Sequence, residues 1–88
     1  MNNLKRIERE FEDFRNEILS LSKEKIFDEA YKIRFYREVS EWIVGGEYEI
    51  KNTTTLAGLY DFYLSNEYLS ITTWSDIGVM ISEYEYEN

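Results

Sequence analysis

Leu4, Ile7, Phe11, Phe14, Ile18 and Leu21 recur at steps of 3, 4, 3, 4 and 3, and the positions between them are nearly all Lys, Arg, Glu, Asp or Asn. Only a helix returns side chains to one face at that spacing; a strand, with its period of two, scatters them over both faces. Residues 3–21 are therefore expected to form an amphipathic helix. Its apolar stripe has two uses. It can pack inside the chain's own bundle, or it can form a coiled-coil-like seam with a second chain. No proline occurs anywhere in the 88 residues, so nothing covalent prevents further long helices.

The rest of the chain reads in the same way. Ser22 suits the N-cap of a second helix over 23–44. There the apolar residues make two stripes, Ile26, Ala30, Ile33 and Val44, and Phe27, Tyr31, Phe35, Val39 and Trp42. Two apolar faces predict the central helix of the domain. Gly45-Gly46 should stop it, one glycine taking the left-handed conformation. Residues 47–52 alternate polar and apolar, as a short strand or an extended loop does. A third helix is expected over 55–68, capped by Thr54 or Thr55, with Leu56, Leu59, Tyr60, Tyr63 and Leu64 on one side and Asp61 and Phe62 off it. A fourth is expected over 73–84, capped by Thr72 or Thr73, with Trp74, Ile77, Met80, Ile81 and Tyr84 sharing a face. In the alternative, 77–81 is a strand that pairs with 47–51 in a β-hairpin. Residues 83–88 read as a frayed end. The expected fold is mainly α: a single domain over 1–88, built as a compact three- to four-helix bundle with at most one short β-hairpin.

Composition removes most chemistry. Cysteine and histidine are both absent, which excludes thiol catalysis, disulfides, zinc fingers and Ser-His triads. Carboxylate pairs such as Glu38 and Glu41 occur at helical spacing, but a chain this short has a thin core and little room for a walled cleft. No EF-hand spacing appears. Catalytic residues, metal ligands and cofactors are accordingly expected to be none, and the protein is expected not to be an enzyme. No apolar run approaches the roughly 20 residues of a membrane span. The first ten residues, with Lys5, Arg6, Glu8, Arg9 and Glu10, lack the apolar stretch of a secretory signal. A cytoplasmic setting without a membrane partner is the expectation.

Charge narrows the partner. The net charge is −8 and is unevenly placed. Residues 1–44 hold nine bases against ten acids, whereas residues 45–88 hold Lys51 alone against eight acids. The bases of the first half are interleaved with acids, so no basic stripe forms and direct nucleic-acid binding is not expected. The acidic half also carries eight of the fifteen aromatic residues. Carboxylates mixed with tyrosines match an Arg/Lys-rich groove by charge pairing and cation–π contact. The expected partner is a protein with a basic surface, and the candidate partner-binding residues are Asp61, Phe62, Glu67, Asp76, Glu83, Tyr84, Glu85 and Tyr86. The alternative is a self-associating structural or regulatory module, a homodimer joined through Leu4, Ile7, Phe11, Phe14, Ile18 and Leu21.

Three segments carry a resemblance: Phe14-Arg15-Asn16-Glu17-Ile18-Leu19-Ser20-Leu21, Ile26-Phe27-Asp28-Glu29-Ala30-Tyr31, and Leu56-Ala57-Gly58-Leu59-Tyr60. Over roughly residues 11–82 the chain resembles a small acidic helical family of unknown function from bacterial genomes and their mobile elements. That family has proline ahead of the second helix and ahead of the Leu-Ala segment, where this chain has Ser22-Lys23 and Thr54-Thr55. The resemblance implies no activity. The mobile-element setting implies an inhibitor of a host defence nuclease, and in size and charge alone the chain is similar to anti-CRISPR proteins.

Overall fold

The computed structural model describes residues 2–65 and 74–87, with the side chains of the last helix described from Ile77 onward. Five helices follow one another: α1 (Asn3–Leu19), α2 (Lys23–Asp28), α3 (Ala30–Gly45), α4 (Leu56–Ser65) and α5 (Trp74–Glu87). The mainly α reading holds, with five helices among the described residues where three or four were expected. No strand occurs among the described residues, and 77–81, the proposed hairpin partner of 47–51, lies inside α5. The expected caps Thr72 and Thr73 lie outside the described residues.

α1 starts on an Asn2 cap, whose side chain accepts a hydrogen bond from the Leu4 amide at 2.8 Å. Its stripe faces inward. Ile7 and Ile18 are buried, and Leu4, Phe11 and Phe14 pack against the core. The partner is α3, which runs antiparallel to it: Phe14 stacks on Tyr36 with ring centroids 4.0 Å apart, and Phe11 lies beside Ser40 and Val44. Five of the six stripe residues thus pack within the chain, while Leu21 lies past the end of α1 and is half-buried.

Ser22 caps the next helix as expected, accepting from the Lys25 amide at 3.3 Å. The single helix expected over 23–44 is instead two. The chain turns at Glu29, without proline or glycine, and the Glu29 amide is shared between the carbonyls of Lys25 and Ile26. α3 is the central helix, in contact with every other one. Its inward residues are Phe35, Tyr36, Val39, Ser40 and Ile43, a face that runs between the two stripes read from the sequence. Phe27 and Tyr31, the leading members of one stripe, point to solvent.

α3 ends in a different way from the one predicted. Neither glycine is left-handed; Glu47 is, at φ 50°. The Tyr48 amide donates to Ile43 O at 2.9 Å and the Glu47 amide to Val44 O at 3.2 Å. This pair of bonds is a Schellman motif with Gly46 as the C-cap and Glu47 as the residue beyond it. Tyr48 then packs on Trp42, ring centroids 4.5 Å apart, supplying the apolar contact that usually accompanies the motif. A Cβ on Gly46 would stand 3.0 Å from Trp42 O, so glycine is needed there for close approach rather than for its φ.

α4 and α5 close the core with Leu56, Leu59, Tyr63, Ile77, Met80 and Ile81. Leu64, expected on the inner side of α4, is exposed. Phe62, expected off it, is half-buried and meets Tyr84 of α5 edge to face at 5.6 Å. α5 stays helical to Glu87, so the expected frayed end is not seen over 83–87. Gly78 admits the Trp42 ring, whose nearest atoms lie 3.1 and 3.2 Å from the place a Cβ would take.

Candidate functional site

Helices α1 and α5 pin the loop between α3 and α4, and that polar junction decides which charges remain available. From α1, the Asn3 amide group donates to Ile50 O and to Asn52 Oδ1, both at 3.0 Å. The Arg6 guanidinium donates to Thr54 O at 2.6 Å and Lys51 O at 3.2 Å. The Glu10 carboxylate accepts from the amides of Leu56 at 2.7 Å and Ala57 at 3.0 Å, and so caps the start of α4 from another helix. Thr55 adds the expected local cap by accepting from the Gly58 amide at 2.9 Å. From α5, the Glu85 carboxylate accepts from the Lys51 amide at 2.7 Å and from the Thr54 hydroxyl, while the Lys51 ammonium donates to Glu85 O. Tyr48 and Ser82 hydroxyls meet at 3.3 Å.

These bonds lay the loop along α5, Tyr48 beside Ser82 and Lys51 beside Glu85. They also occupy cations. Lys51, the one base of residues 45–88, is engaged with a backbone carbonyl, and Arg6 with two. Lys32 lies over the rings of Phe14, Tyr36 and Tyr60, at 5.7–5.8 Å from their centroids. Ion pairs among the described residues are Arg15 with Glu12 at 3.7 Å and Arg34 with Glu38 at 3.1 Å, both exposed. Glu47, Glu49, Glu83 and Glu87 face solvent with no such partner. On the outer face of α5, Val79, Glu83, Tyr86 and Glu87 share one side; Tyr86 is 92% exposed.

The sequence-predicted set is only partly brought together. Glu83 and Tyr86 lie on this outer face. Glu85 does not: its carboxylate is bound to the loop. Phe62 and Tyr84 pack on one another and so are not free anchors. Asp61 is exposed near Tyr36 and Tyr60, where it helps to raise both phenols. Glu67 and the Asp76 side chain lie outside the described residues. Glu47 and Glu49, which sequence reasoning counted for charge and left out of the site, are exposed on the loop whose Tyr48 and Lys51 lie beside α5. Asn3, Arg6 and Glu10 were also missed. Their i, i+3, i+7 spacing, on the flank of the apolar stripe, was the available signal.

The aromatic cluster under α4 is held neutral. Burial pushes the Tyr36 phenol up to about 12, with the nearby Glu10 and Asp61 adding to it. Burial also pushes Tyr63 up to about 12, with the neighbouring Tyr31 adding to it, and raises Tyr60. These tyrosines serve packing, and they stay un-ionised at neutral pH. Among the described residues no three carboxylates converge as a metal site, and no helix is long and apolar enough to cross a membrane. No family model matches the chain, and neither a curated protein nor a solved structure matches it.

Proposed function

We propose that this protein acts by binding, without catalysis, as an acidic inhibitor that covers a basic, nucleic-acid-handling surface of a protein partner, in the manner of a mobile-element-encoded anti-CRISPR protein. One observation carries this reading. The loop–α5 junction turns the only base of residues 45–88 toward a backbone carbonyl, leaves Glu83 and Glu87 unpaired beside Tyr86 and Val79 on α5, and leaves Glu47 and Glu49 exposed on the loop. Held on a helix and a pinned loop, these carboxylates need little ordering on binding. They present charge to Arg and Lys, and Tyr86 offers a ring for cation–π contact.

The test is competition. A partner captured from host lysate should release this protein as DNA or RNA is added, and its affinity should fall steeply as salt rises. Reversal of Glu49, Glu83 and Glu87 to lysine should weaken binding by roughly a hundredfold, and Asp61→Lys by less than about threefold. Binding indifferent to salt, to nucleic acid and to those three reversals would reject the reading.

A further inference from the structure

A groove lies between α1 and the last six residues of α3, with a volume of about 450 Å³, in the range of ligand clefts. Its apolar lining is the half-buried pair Phe11 and Val44. Its charged lining is carboxylate alone: Glu8 and Glu12, one turn apart on α1, and Glu41 on α3. Glu12 has the exposed Arg15 at 3.7 Å, whereas Glu8 and Glu41 have no ion pair among the described residues. Ser40, buried, also lines the groove; its hydroxyl donates to Arg37 O at 3.1 Å, which leaves its oxygen able to accept from a ligand. A second hollow of about 360 Å³ adjoins the first, for it shares Glu41 and Gly45 with it, and Trp42 and Tyr48 line it.

Gly45 is a separate observation. It is helical, its φ is not left-handed, and a Cβ there would meet nothing within 4 Å. Neither the backbone nor the packing within the chain calls for glycine, which weakens a helix relative to alanine. Gly46 differs, since Trp42 O leaves no room for its Cβ. At position 45 the missing side chain leaves open the space that both hollows share, where a second backbone can come close.

The lining selects the occupant. It must be apolar along its length and cationic at its end. An arginine side chain meets both needs: its stem can lie on Phe11 and Val44, and its guanidinium can donate to Glu8, Glu12 and Glu41. Guanidinium also stacks on aromatic faces such as those of Trp42 and Tyr48. Free arginine carries a carboxylate that three glutamates repel, so an arginine within a peptide chain fits better.

We infer that the α1–α3 groove docks an arginine-bearing segment of a protein partner, a guanidinium among Glu8, Glu12 and Glu41 and the segment's backbone passing over Gly45. The groove shares no residue with the α5 face, and the inference does not rest on the inhibition proposed above.

An NMR titration of the full chain with the capped peptide acetyl-Leu-Arg-Leu-Arg-amide tests it. The amides of Phe11, Ser40, Glu41 and Gly45 should shift together, with a dissociation constant on the order of 0.1–1 mM. The same peptide with glutamate for arginine should cause no shift, and free arginine should bind at least roughly tenfold more weakly. Gly45→Gln fills the shared space and should weaken binding by at least about tenfold while the circular dichroism is unchanged. An E8Q/E41Q variant, altered only at exposed side chains, should do the same through lost charge. An E83K/E87K variant, altered on α5 alone, should bind within about twofold of wild type. No shift up to about 10 mM peptide overturns the inference. So does binding that survives both Gly45→Gln and E8Q/E41Q, or shifts as large on α5 as in the groove.

Discussion

Residues 48–55 have neither helix nor strand, yet Ile50 and Thr54 are buried within them, and Asn3, Arg6 and Glu85 reach in from helices far away in sequence. Residues 23–28 are regular helix, with intact backbone bonds and a cap, yet bury nothing completely. The two regions solve the same problem, satisfying backbone polar groups, by different means. The helix does so locally and needs no neighbours. The loop has no ladder, so its carbonyls and amides are met by side chains from α1 and α5, and its fixed shape is a property of the whole fold. Regular structure and integration into the core are thus separable. The irregular segment is integrated into the core, and the regular one stands outside it.

The largest contrast should come from matched isoleucines. Ile50→Ala removes a buried side chain from the loop and should cost about 2–4 kcal/mol in urea unfolding. Ile26→Ala, half-buried in α2, should cost less than about 1 kcal/mol. Equal losses would mean that α2 is as much a part of the core as the loop.

Next comes the polar fastening. Arg6→Ala leaves the carbonyls of Thr54 and Lys51 without their charged donor and should destabilise by about 2 kcal/mol. Lys25→Ala in α2 should stay within roughly 0.5 kcal/mol. Hydrogen exchange would localise the first effect: the amides of Lys51, Thr54 and Leu56 should lose protection while those of α2 do not change. A uniform loss along the chain would break the distinction between a loop held by tertiary contacts and a helix held by its own.

The smallest effect has the opposite sign. Glu47 bears a left-handed conformation that disfavours any residue with a Cβ, so Glu47→Gly should stabilise by about 0.5–1 kcal/mol, part of the relief being offset by the greater freedom of glycine in the unfolded chain. A loss of stability would show that the Glu47 side chain contributes something its exposure does not suggest.

Much of the architecture was legible before any coordinates. The 3-4 stripe of α1, the Ser22 cap, the helix after Thr55 and the helical face shared by Ile77, Met80 and Ile81 all follow from local preference and periodicity. The candidate face was far less legible. Glu83, Glu85 and Glu87 look alike in the sequence, and so do Glu8 and Glu10. A carboxylate has the same intrinsic chemistry whether it faces water or caps a distant helix, so no local rule separates Glu85 and Glu10 from their neighbours.

By itself the sequence determined that the chain is helical, where α1 begins and which of its residues form the apolar stripe, that thiol and imidazole chemistry are absent, and that the second half is acidic. These depend on periods of a few residues and on composition, and both are local. Only the tertiary structure decided that 23–45 breaks at Glu29, that Glu47 rather than a glycine takes the left-handed turn, that Phe62 faces inward while Phe27 faces out, and that Lys51 donates to the Glu85 backbone carbonyl. Each is a choice between conformations of similar local energy. The packing of α1, α3 and α5 makes that choice, because only there do the competing groups find, or fail to find, a neighbour.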